Sequence, residues 1–202
     1  MSILNSLLLK TSSVKKMCIS FVASHLVLLL MMVFTLPVIN DQIGTQVFDL
    51  QTFGYDVSVA ESIVNNLNDE TTALYLFPQL TLLDVLYPFL LALFLSSLLF
   101  RLFKITKTTS KVTSILLVVP FLAMIFDYAE NICVILMITK SIETSETIVL
   151  ISSTFTVLKG VLTSIAWIAI LIYTIKWLGI KIIERNKELA TAHHPKSSGN
   201  KF

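Results

Sequence analysis

An all-α fold, a four-helix transmembrane bundle with a partly helical outer loop between helices 1 and 2, is what this sequence predicts. Three observations point there. Of 202 residues, 55% are hydrophobic and only 14% charged, with a mean hydropathy of +0.83. A soluble domain carries about a quarter charged residues. Four apolar stretches approach or exceed the roughly 20 residues that carry a helix across a bilayer. Basic residues cluster in alternate connections and leave the others acidic or sparse, the pattern that orients membrane helices.

The first helix is expected at about 17–38. Its apolar run is too long for a secretory signal, and no small-x-small cleavage site follows it, so it reads as a retained span. Leu36-Pro37-Val38-Ile39-Asn40-Asp41 reads as its outer end. The outer loop, about 39–79, holds Asp41, Asp49, Asp56, Glu61, Asp69 and Glu70 and no base. Phe53-Gly54-Tyr55-Asp56 predicts a turn, and Ser58-Val59-Ala60-Glu61 has the spacing of a capping box, so a short helix is expected to start there. That helix carries Ile63, Val64 and Leu67 on one side, so the loop is expected to lie as an ordered cap on the outer mouth of the bundle.

Helix 2 is expected at about 80–103, helix 3 at 112–138 and helix 4 at 150–178, with Pro88 and Pro120 as kink positions. The connection between helices 2 and 3 has Arg101, Lys104, Lys107 and Lys111 and no acid; the N-terminal segment has Lys10, Lys15 and Lys16. The tail, 180–202, adds Lys181, Arg185, Lys187, Lys196 and Lys201, and Pro195 is expected to end its helix. Both termini are therefore expected in the cytoplasm, and the whole chain reads as one membrane domain.

Several function classes fall away. The net charge of +2 gives no footprint for nucleic acid. Cys18 and Cys133 sit at opposite membrane faces, roughly a 30 Å bilayer apart, so no disulfide or redox dithiol is expected. No phosphate-binding glycine loop, zinc-protease helix or nucleophile elbow occurs. No cofactor or metal is expected. His193-His194 supplies two ligands where a stable site needs more. His25, alone on helix 1, reads as a packing residue.

Polar groups inside the spans are costly, about 2.5–3.5 kcal/mol each by insertion scales, and so need a reason. Helix 2 carries Asp84 and Tyr87; helix 3 carries Asp127, Tyr128, Glu130 and Asn131; helix 4 carries Lys159. Asp127, Glu130 and Asn131 fall at i, i+3 and i+4, on one helix face. Counting residues from the helix ends puts Asp84, Asp127, Glu130 and Lys159 at similar depth in the outer half, which predicts a polar cluster beneath the loop. Asp84, Tyr87, Asp127, Glu130 and Asn131 are the candidate ligand-binding residues, and Lys159 is the candidate structural ion pair. Closely held carboxylates repel, so the cluster can keep a proton, pass one, or bind a cationic amine. The rival role for the same residues is an interhelical hydrogen-bonded network.

Phe53-Gly54-Tyr55, Leu83-Asp84-x-x-Tyr87-Pro88 and Asp127-x-x-Glu130-Asn131 resemble motifs of a family of small bacterial integral membrane proteins with no assigned activity. That resemblance covers most of helices 1–3 and the outer loop; it implies topology and a bacterial plasma membrane, and no mechanism. In architecture alone the chain is similar to the emopamil-binding and sigma-2 receptor group, which has acidic residues facing a sterol or amine pocket. The loop lacks the Cys and Trp of claudins, and tetraspanins carry their large loop between helices 3 and 4. The expected function is binding of a small amphipathic or lipid-like ligand near the intramembrane carboxylates. The alternatives are a membrane-embedded enzyme using them for proton transfer, and an accessory or assembly protein. Expected partners are membrane lipids and that ligand, with homo-oligomers left open and no nucleic acid.

Overall fold

Four helices long and apolar enough to cross a membrane dominate a computed structural model that describes residues 2–193. Among those residues every regular element is helical. Helices satisfy their own backbone groups, which hydrocarbon requires of any spanning segment. In chain order the elements are α1 (Ser2–Thr11), α2 (Val14–Ile43), α3 (Val57–Asn66), α4 (Asp69–Ile105), α5 (Lys111–Ile138) and α6 (Glu146–His193). The long elements are consistent with a multi-pass membrane protein. The expected stop at Pro195, and His194 of the histidine pair, lie outside the described residues.

At the loop end three boundaries differ from the sequence expectation, each for a local reason. α2 does not end at Pro37. Its turn at Met31–Thr35 widens so that the Leu36 N–H bonds five residues back to the Met31 carbonyl. The wider turn accommodates a ring that has no N–H to donate. The helix then runs to Ile43 and ends on Gly44, whose φ of 72° closes it with an N–H bond to the Asn40 carbonyl. α3 starts one residue after Asp56, not at Ser58. The Asp56 carboxylate accepts the Val59 N–H at 2.9 Å and the Ser58 hydroxyl at 2.7 Å, and these two bonds, the Ser58 hydroxyl foremost, hold its carboxyl below the usual range. α4 begins at Asp69, well before residue 80, because Asn68 and Thr71 form a reciprocal capping box. It carries a second widened stretch at Tyr75–Leu83, where Phe77 goes extended ahead of Pro78. Thr35 Oγ1 donates to Gln79 Oε1 and ties the two widened turns together.

In α5 the break falls at Leu117–Val118, just before Pro120. The Leu117 carbonyl left over there accepts the buried Ser96 hydroxyl of α4 at 3.0 Å. α6 is continuous for 48 residues, about 72 Å at the helical rise. It is therefore far longer than the expected 150–178 and more than twice the ~30 Å hydrocarbon core.

α2 packs on α4, α4 on α5 and α6, and α5 on α6. Thr11 Oγ1 meets Ser97 Oγ at 2.7 Å, Arg101 Nη1 donates to the Ser12 carbonyl at 3.2 Å, and Lys176 Nζ donates to Thr108 Oγ1 at 2.7 Å. Those bonds bring the N-terminal segment, the α4–α5 connection and the α6 tail to one basic end. Two apolar cores result. One, around Ile39, Phe48, Ile63 and Met137, fills the loop end; the other, around Leu8, Leu99 and Ala166, fills the basic end.

The outer loop does more than cover the mouth, as the sequence reading had it. Its Phe48–Tyr55 stretch runs down the flank of α6. The Tyr55 N–H donates to Ser153 Oγ at 2.8 Å and its hydroxyl to Ser152 Oγ at 2.6 Å. Burial pushes that hydroxyl well above the usual tyrosine range, so it stays a donor. Gly54 makes the approach: its φ is 89°, and a Cβ there would lie 2.6 Å from Ser153 Oγ.

Candidate functional site: a polar-ended cavity between the apolar cores

The register of each helix places a polar layer between the two cores. Along α4, Asp84 lies between Leu80 of the loop-end core and Leu91 of the basic-end core. Along α5, Asp127 and Glu130 lie between Val119 and Val134, and along α6 Lys159 lies between Val149 and Ala166. Asp84, Asp127, Glu130 and Asn131 are all buried. The i, i+3, i+4 spacing on α5 turns three of them toward α4 and α6 together.

Lys159 Nζ stands 2.6 Å from Asp127 Oδ1 and 2.6 Å from Glu130 Oε2. Glu130 Oε1 accepts the Thr156 hydroxyl at 2.7 Å. Glu130 thus has both oxygens engaged. Asn131 Nδ2 reaches the Asp84 carbonyl at 3.5 Å, a long contact that links α5 to α4. Tyr128 spends its hydroxyl on the Val85 carbonyl at 2.8 Å. Against these satisfied groups stand Asp84 Oδ2 and Asp127 Oδ2, buried and, among the described residues, without a hydrogen-bond donor; Asp84 has the Asp49 carboxyl beside it. Buried polar atoms are paired in the great majority of cases, so two such oxygens in one layer are unusual; Gln79 Nε2, at the α4 kink, is likewise without a partner.

Both carboxylates line a cavity of about 310 Å³ bordered by α2, α4, α5, α6 and the outer loop. Its polar end is made by Asp49, Asp84, Asp127, Lys159 and Tyr87. Its other walls are apolar, with Met31, Leu91, Leu95, Ala123 and Met124 among them. The volume is at the small end of the range that takes up small molecules. Of the sequence candidates, Asp84, Tyr87 and Asp127 border this space, whereas Glu130 and Asn131 sit behind it in the α5 contacts. Lys159 does both, lining the cavity and holding the ion pairs.

Asp49 is the member that sequence reasoning missed. It is held by the hydroxyl of the fully buried Tyr75, which donates to Asp49 Oδ2 at 2.7 Å, and its carboxyl lies beside that of Asp84. The signal was present in Val47-Phe48-Asp49-Leu50, one acid inside an apolar run of an otherwise polar loop. Such a run is drawn inward by its neighbours, and Val47 and Phe48 are fully buried. Among the described residues no group of three or more His, Cys, Asp or Glu is arranged to hold a metal ion.

Comparison with family models, with curated proteins and with solved structures gives no match. Asp84, Tyr87 and Pro88 of α4 and Asp127 of α5 line the cavity, and Gly54-Tyr55 clamps the loop onto α6 beside it.

Proposed function

We propose that this chain is an integral membrane protein that binds a small amphipathic, lipid-like ligand in the cavity beneath its outer loop. The observation that carries this reading is the pairing of an apolar chamber with a polar end in which Asp84 Oδ2 and Asp127 Oδ2 are buried with no hydrogen-bond donor among the described residues. Leaving such groups unpaired costs about 1–3 kcal/mol each, more when charged, and a ligand head that pairs with them recovers that loss. The protein sits in the plasma membrane with its basic end, and so both termini, in the cytoplasm. Lipids surround it on the outer helix faces, where Ile132, Leu171 and Ile175 are exposed.

The test is mass spectrometry of small molecules that co-purify with wild type and with Asp84→Asn, both checked for helical content. A species present in wild type and lost from the folded variant is the expected result. Identical profiles from two folded proteins would overturn the proposal.

A further inference from the structure

We propose that the ligand head is a cation, and that the cavity takes a single-chain alkylammonium amphiphile; this rests on the ligand-binding reading above. Four carboxyl groups, Asp49, Asp84, Asp127 and Glu130, converge on one ammonium, that of Lys159. That ammonium is already committed, at 2.6 Å, to both Asp127 and Glu130. Asp49 has the Tyr75 hydroxyl. Asp84 has only the neighbouring Asp49 carboxyl as a partner, and Asp127 Oδ2 beside it has none among the described residues. What the polar end lacks is therefore N–H or O–H donors together with positive charge. An ammonium head supplies both, as three donors on a point charge. A carboxylate or phosphate head supplies neither and would meet the carboxylates at close range, where like charges repel strongly in a low dielectric. A neutral hydroxyl head supplies one donor and no charge.

Shape restricts the rest of the molecule. A volume of about 310 Å³ suits one hydrocarbon chain along Met31, Leu91 and Leu95. Access is lateral. α2 and α6 both border the cavity, yet the extensive packing of α2 is on α4. Leu28 and Met32 on α2 and Gly160 and Thr163 on α6 are only partly covered, so the gap between those two helices faces the acyl chains. An amphiphile already dissolved in the bilayer reaches the site without crossing the outer loop.

The experiment uses the full chain in phosphatidylcholine nanodiscs, with empty discs as background. Radiolabelled dodecylamine is the probe, and dodecanol and dodecanoate of the same chain length compete against it. Dodecylamine is expected to bind above background, and dodecanol to displace it at least about tenfold less well, as the loss of charge-assisted hydrogen bonds implies. Dodecanoate is expected not to displace it. Asp84→Asn should weaken dodecylamine by about tenfold or more with its thermal unfolding preserved. If dodecanol or dodecanoate competes as well as the amine, the cationic assignment falls and the binding reading stands. If none of the three binds, the assignment also falls; the co-purification result then decides whether the binding reading falls with it. Should Asp84→Asn fail to fold, the three-head comparison on wild type alone decides the matter.

Discussion

Lys159 illustrates how one side chain can be structural and still shape a site. Its ammonium lies between Asp127 and Glu130 at 2.6 Å from each, and its side chain is 19% exposed. Removing one partner of a buried pair costs about 3–5 kcal/mol because a charge is left uncompensated, whereas removing all partners together is often nearly neutral. Lys159→Met is therefore expected to lower stability sharply, by about 3–5 kcal/mol. The triple variant Lys159→Met, Asp127→Leu, Glu130→Met, apolar at all three positions, should recover most of it. Thermal unfolding of the three proteins in one detergent checks this; a triple variant no better than the single one would refute the ion-pair account. At this scale much of the layer could be read directly. The α5 spacing and the depth count brought Asp84, Asp127, Glu130 and Lys159 to one level. Which oxygens remain unpaired could not be read, because Thr156 and Tyr75, which decide it, lie on other elements at separations that no local pattern encodes.

At the scale of the element, the prolines separate what propensity states from what packing permits. Pro37 looked like the end of α2, and Pro78 like the end of the loop. Pro37 lies inside a continuous helical path, because a widened turn absorbs it, whereas Pro78 follows the extended Phe77 and marks a kink; Thr35 and Gln79 join the two stretches. Pro120 behaves nearer to expectation, breaking α5 at Leu117–Val118. There the repair comes from another helix, through the Ser96 hydroxyl on the Leu117 carbonyl. Ser96→Ala leaves that buried carbonyl unpaired and is expected to cost about 1–3 kcal/mol. The loss should show as a lower unfolding temperature; a variant as stable as wild type would mean that the α5 break needs no partner. The loop escaped the sequence reading for a related reason. Gly54 and the Ser152-Ser153 pair on α6 are unremarkable separately, and only their contact draws the stretch alongside the helix.

For the whole molecule, the order of spans and the gathering of bases at one end were the most legible features, since both depend on composition alone. The orientation proposed from them has a direct test. In a background of Cys18→Ser and Cys133→Ser, Asn65→Cys on exposed α3 should react with an impermeant maleimide on intact cells. Lys111→Cys, at the basic end, should react only after the membrane is opened. The reverse pattern would invert the topology. That the tail is helical was legible in its composition; that it continues the last span without a break was not. Yet its continuity has a mechanical meaning. From Gly160, on the cavity wall, to His193 is about 50 Å of unbroken helix, so a tilt of about 5° at the cavity carries the far end through about 4 Å. The longest element of the protein is in effect a lever whose short arm forms one wall of the cavity, so a small displacement at that wall is magnified at its far end.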